Sequence, residues 1–86
     1  MNSHLYRSFD KDYRKLPEKL RKQFKARRNL FLTNQFHPLL NNHELHGKYD
    51  GCNSINVTGD YRAIYFMKND IAVFIRVGTH SELFGK

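Results

Sequence analysis

Apolar residues follow two different periods along this chain. In the first third they recur at spacings of three and four: Phe9, Tyr13 and Leu16, then Leu20, Phe24 and Leu30 or Phe31. That is the signature of one face of an α-helix. From Cys52 onward the period is two. Ile55 and Val57 alternate with Ser54, Asn56 and Thr58, and Ile71, Val73, Ile75 and Val77 alternate with Ala72, Phe74 and Arg76. That is the signature of β-strands.

The punctuation between these runs sets the elements. Leu5 to Phe9 reads as a short first strand and Asp10 to Leu16 as a helix. Leu16-Pro17 reads as a joint, because proline suits the start of a helix. A second helix is expected from about Pro17 to Leu32, with Leu20, Phe24, Arg27 and Leu30 or Phe31 inward and Asn34 near its end. Residues 35–49 read as a connection. Thr58-Gly59 suggests a two-residue hairpin turn with Gly59 at positive φ, leading into a strand from Asp60 to Met67. Lys68-Asn69-Asp70 makes the next turn. The order predicts an α+β domain: an N-terminal strand, then a two-helix hairpin packed on an antiparallel sheet of about four strands.

Length, at 86 residues, allows one small domain covering 1–86. No stretch approaches the roughly 20 apolar residues of a membrane span, and Met1-Asn2-Ser3-His4 lacks a signal-peptide pattern. The expected location is cytoplasmic, without membrane association. The single Cys52 agrees with a reducing compartment and reads as a small filler residue. Charge changes the picture more. Fifteen Lys and Arg against eight Asp and Glu give a net charge of +7, and nine of those cations fall between Lys11 and Arg28. A helical hairpin with so basic an exterior points to an anionic partner, either nucleic acid or an acidic protein segment. A solvated helix face is the plainer alternative.

Four stretches carry candidate chemistry: Asp12 to Pro17, Asn42 to Gly47, Thr58 to Tyr65 and Gly78 to Gly85. In this order, within a short basic chain, they resemble the RelE/ParE superfamily of toxins from toxin–antitoxin pairs, with the YafQ-type branch nearest. The resemblance covers most of the chain. It implies a metal-independent endoribonuclease that cuts ribosome-bound mRNA, uses no cofactor and is held by a cognate antitoxin. It also implies a site containing His43, Asp60 and His80, with Arg62 at the position of the RelE arginine. Two positions depart from the YafQ pattern: Asn56 stands where a second histidine is usual, and Tyr61 where a tryptophan is usual.

The residue types suit RNA cleavage by 2′-OH attack. Histidine exchanges protons near neutral pH, which makes His80 the first candidate, with Asp60 and His43 as its partners. Arg62 keeps its charge and can hold two phosphate oxygens. Asn56, Tyr61, Lys48 and Arg76 are expected to bind substrate: Asn56 by orienting a phosphate or ribose, Tyr61 by stacking on a base, and Lys48 and Arg76 by adding to the phosphate field. Each has a structural alternative. Asp60 can cap a turn, Arg62 can pair with Asp60 or Glu82, Tyr61 can be an ordinary strand aromatic, and His43 can be simply exposed. His4, His37 and His46 read as surface residues. His43 and His46 are three apart, but no third ligand of matching spacing makes a metal site. Two other functions stay open: a non-enzymatic gyrase inhibitor of the ParE kind, and a degenerate toxin that only binds antitoxin and RNA.

Overall fold

The structure is a computed structural model that describes residues 1–85. Its elements in chain order are β1 (Asn2–Leu5), α1 (Arg7–Arg14), α2 (Glu18–Thr33), β2 (His43–Glu44), β3 (Asn53–Asn56), β4 (Tyr61–Lys68), β5 (Ile71–Thr79) and α3 (His80–Phe84). The expected α+β class, N-terminal strand and two-helix hairpin are all present. The sheet has five strands in the order β1-β5-β4-β3-β2. It is mixed, because β1 runs parallel to β5 while the other pairs are antiparallel.

β1 ends sooner, and α1 starts sooner, than the pattern alone suggests. Tyr6 gives its N–H to Phe74 O at 2.9 Å, and the chain then turns into helix at Arg7. The reason is Phe9. It is fully buried and belongs with Tyr13 and Leu16 on one helical stripe, so it cannot stay in an edge strand. Pro17 stands just before α2 as its N-cap, and Asn34 ends the helix at φ −149°. The core between helices and sheet is aromatic. Phe24 meets Phe9 at 4.8 Å and Phe74 at 5.4 Å between ring centroids, and Phe31 meets Tyr65 at 4.8 Å. Such tilted and edge-on pairs each add about 0.5–1.5 kcal/mol beyond the area they bury.

Beyond Leu5 the edge of β5 is finished by side chains of α1. Ser8 Oγ donates to Ile75 O at 2.6 Å, and Asp12 Oδ2 accepts from Val77 N–H at 3.1 Å. The pairing of β4 and β5 also slips between Ile64 and Tyr65, which leaves Ile75 as an extra residue. A bulge of this kind turns two successive side chains to one side. Phe74 and Val77 therefore both enter the helix-side core, and Ile75 joins a second cluster with Tyr49, Ile64 and Leu83 on the other face. The simple alternation expected through Val77 is broken at this point.

The turn after β3 also differs from expectation. Val57 and Thr58 both give their N–H to Tyr61 O, so four residues, 57–60, separate the strands, and β4 begins at Tyr61. Gly59 is absent from the positive-φ residues; in the next turn Asn69 takes φ 56°.

Candidate functional site

Residues paired across a sheet share a face, so the register sorts the candidates. One row runs His43, Ser54, Ile64 and Arg76, and the next runs Asn56, Arg62 and Gly78. Both rows lie on the face of the second cluster, opposite the aromatic core, and only Arg76, at the β5 end of its row, reaches round the sheet edge to Asp12 of α1. The last candidates sit at the end of this face. Tyr61 pairs with Thr79, and one step on, His80 gives its N–H to Asp60 O at 3.1 Å. The sheet therefore brings Asp60 and His80 together beside Arg62, with Asn56 on Arg62's other side and His43 beyond it.

His80 opens α3, a short helix that the period-two pattern conceals. Thr79 caps it: Thr79 Oγ1 accepts from Glu82 N–H, and Glu82 Oε1 accepts from Thr79 N–H at 2.8 Å. The Thr79…Glu82 spacing is a capping-box signature and was the signal available in the sequence. One turn on, Phe84 packs on the imidazole, with ring centroids 4.8 Å apart. Phe84 is a neighbour of the candidate site that the sequence reading missed.

Arg62 uses one nitrogen to hold the turn. Its Nη1 donates to the carbonyls of Thr58, Gly59 and Tyr61 at 3.0–3.3 Å. Among the described residues it makes no ion pair with Asp60 or Glu82, and its Nε and Nη2 have no protein partner. Asn56 Oδ1 is enclosed without a hydrogen-bond partner, and so is Ser54 Oγ, which is only 1% exposed with its residue.

His43 is exposed, and its Nδ1 lies 2.8 Å from Asn41 O. A carbonyl can only accept, so Nδ1 carries the hydrogen and neutral His43 presents its lone pair at Nε2. The two-residue strand β2 is held from the core: buried Tyr65 Oη donates to Asn42 Oδ1 at 2.9 Å, and Asn42 Nδ2 donates to Gln35 O at 3.1 Å. Burial pushes the Tyr65 phenol above its ordinary 10.0, against the lowering effect of Gln35 and Asn42.

Two substrate-binding candidates stand apart from this group. Tyr61 is half-buried toward the helices, because neighbouring positions of a strand face opposite ways. It lines a cleft of about 150 Å³ together with Asp12, Lys15 and Glu82. Arg76 has its charge taken up by Asp12, with Nε 2.6 Å from Oδ2, and reaches the Tyr49 hydroxyl at 3.4 Å. The Asp12 hydrogen bond raises its pKa above that of a free guanidinium, outweighing burial. Lys48 is exposed, with Nζ 5.4 Å from the centre of the Tyr49 ring. Burial, then Asp50, raises the Cys52 thiol above its ordinary 9.0, which disfavours a reactive thiolate. Among the described residues no three His, Cys, Asp or Glu side chains are grouped to hold a metal ion. No helix among them is long and apolar enough to cross a membrane.

A helical pair over one face of a mixed sheet, with candidate polar groups on the other, is the RelE/ParE-like toxin fold. A YoeB/ParE toxin from Agrobacterium tumefaciens matches it with a TM-score of 0.75 at 18% identity, over 93% of this chain and 99% of that one. The branch is narrower than that. The family model described as the bacterial toxin of type II toxin–antitoxin systems, YafQ, matches residues 1–85, and the chain belongs to the YafQ family. YafQ from E. coli strain BL21(DE3) is similar at a TM-score of 0.83 and 23% identity, over 98% of each chain. YafQ in the E. coli DinJ–YafQ toxin–antitoxin complex is similar at 0.79 and 24% identity, over 98% of this chain and 97% of that one. No curated protein matches.

Proposed function

We propose that this YafQ-family toxin is a metal-independent endoribonuclease that cuts ribosome-bound mRNA by attack of the ribose 2′-OH on the adjacent phosphate. One observation carries the reading. On a single sheet row, Arg62 has two nitrogens without a partner among the described residues, and the Asn56 side chain stands beside it. Arg62 would hold the phosphate and stabilise the charge that builds on it. His43, with its Nε2 lone pair, suits the role of base toward the 2′-OH. His80, braced by Phe84 and set beside Asp60, suits the role of acid toward the departing 5′-oxygen. The 2′-oxygen forms the new bond to phosphorus as the 5′-oxygen leaves, giving a 2′,3′-cyclic phosphate. Lys48 adds to the field on this face. A cognate antitoxin is inferred by likeness to the E. coli protein crystallised with DinJ.

The test is induced expression of this chain and of His80→Ala, reading growth and the integrity of mRNA, with the purified proteins on labelled RNA in EDTA. Arrest, mRNA cut within coding regions and EDTA-resistant cleavage are expected. All should fall by about 10²-fold or more in the variant, the size of a general acid–base contribution. Arrest with intact mRNA from both chains overturns the reading in favour of a gyrase-type inhibitor.

A further inference from the structure

The sheet face that carries the site continues toward the opposite edge, where the proposed cleavage uses nothing. His4 pairs with Val73 and, alternating with the core residue Leu5, faces the same way as Ile75. Beside it an open groove of about 590 Å³ is lined by His4, Tyr6, Arg7, Ser8 and Lys11. No acid lines it. Arg7 and Lys11 stand one turn apart on α1 and have no ion-pair or hydrogen-bond partner among the described residues. Tyr6 is 55% exposed, although a ring of that size usually finds cover. Ser8 fixes the groove to the sheet through its bond to Ile75 O, whose side chain belongs to the second cluster.

We propose that this groove is a second contact for the RNA, holding a nucleotide that flanks the cut. Arg7 and Lys11 would pair with its phosphates and Tyr6 would stack on its base. Unpaired cations beside an exposed aromatic are what a single strand binds without sequence preference. Gly78 lies five positions beyond Val73 on β5, so the groove lies roughly 16 Å along the strand from the Arg62 row at about 3.3 Å per residue. The proposal rests on the RNA-cutting reading, and its test separates the two.

The measurement is fluorescence anisotropy of 2′-O-methylated RNA, which cannot be cut, with a 12-mer and a 4-mer. The native chain is compared with Arg7→Ala/Lys11→Ala and with Tyr6→Ala, all changes at exposed positions. The double variant should bind the 12-mer at least ten-fold more weakly. Its salt slope should fall by about 1.4, since each phosphate neutralised on a single strand contributes about 0.7. Tyr6→Ala should cost about five-fold or more, and 4-mer binding should stay within two-fold. Unchanged 12-mer binding overturns the proposal. So does an equal loss on both lengths, or a loss of antitoxin affinity with RNA affinity intact. If the native chain shows this binding pattern yet cleaves nothing, the groove stands and the nuclease reading falls.

Discussion

Gly78 tests whether α3 is positioned as the structure indicates. It lies in β5 at the end of the Asn56–Arg62 row, directly under the capping box that presents His80. A Cβ added there would lie 2.9 Å from Glu82 Oε1 and 3.5 Å from both Glu82 Cβ and Leu83 Cδ2. The last two distances are ordinary contact; the first is not. The Glu82 carboxylate can swing away, but it then gives up the 2.8 Å bond from Thr79 N–H. Losing a cap of this kind costs about 1 kcal/mol, within a range of roughly 0.5–2. Against that, alanine is favoured over glycine in a strand by roughly 0.5–1 kcal/mol, and the Gly78 backbone is not at positive φ. Gly78→Ala should therefore cost roughly 0–0.5 kcal/mol at the central cap value and up to about 1.5 kcal/mol at the top of the range, a drop of up to several degrees in Tm for a domain of this size.

The sharper expectation is a change of sign. In a Glu82→Ala background the clash and the cap are both gone, so Gly78→Ala should become stabilising by about 0.5–1 kcal/mol. Urea unfolding of the four proteins completes the double-mutant cycle, whose coupling measures the contact between the two sites. If Gly78→Ala costs the same in both backgrounds, the obstruction is not the Glu82 carboxylate, and the account of how His80 is held is wrong. Cleavage should fall in both single variants, because each loosens the turn that starts with His80.

Two further expectations concern the supports of the site. The folded state holds the Tyr65 phenol proton more tightly than the unfolded chain does. This contribution is thus fully present below about pH 10.0 and is lost as pH rises through the raised folded value. Tyr65→Phe should cost about 1 kcal/mol near neutral pH for the lost bond to Asn42 and should show a shallower alkaline loss in urea midpoints from pH 8 to 11; an unaltered slope refutes this. Ser54→Ala removes a hydroxyl that is enclosed without a partner, so stability should be unchanged or higher by up to about 1 kcal/mol, and a fall of more than 1 kcal/mol by thermal melting would show that Oγ has a partner.

What could be read from the sequence was what local spacing controls. The α2 helix has a long apolar stripe and Pro17 at its start, and β4 and β5 have a clear turn at Asn69. Phe9 was ambiguous because a residue at a strand–helix joint satisfies both periods; its full burial beside Phe24 decides for the helix. Strand β2 could not be seen, because two residues make no pattern of their own and Tyr65, 23 positions from Asn42, holds them in place. For the candidate site, the sequence singled out His43, Asp60, Arg62 and His80 by residue type and resemblance. The register settles which candidates share a face, and it sets Tyr61 apart. Arg76 is set apart by Asp12, 64 positions away, a pairing that strand alternation does not encode.

The bulge at Ile75 explains how so small a sheet serves both a core and a site. A regular β5 would send alternate residues to each face, and Phe74 and Val77, three apart, would part company. The extra residue lets both fill the aromatic core, while Ile75 anchors the second cluster beneath α3. Arg76 then emerges where Asp12 can neutralise it, and Asp12 Oδ2 also accepts the Val77 N–H at the open edge of β5. One carboxylate thus satisfies an edge donor and a half-buried cation, and ties α1 to the strand that ends at His80. The cation nearest the proposed scissile phosphate, Arg62, has no such partner among the described residues. The contrast between these two arginines on adjacent sheet rows, one neutralised and one left open, is the physical ground for assigning the phosphate to Arg62.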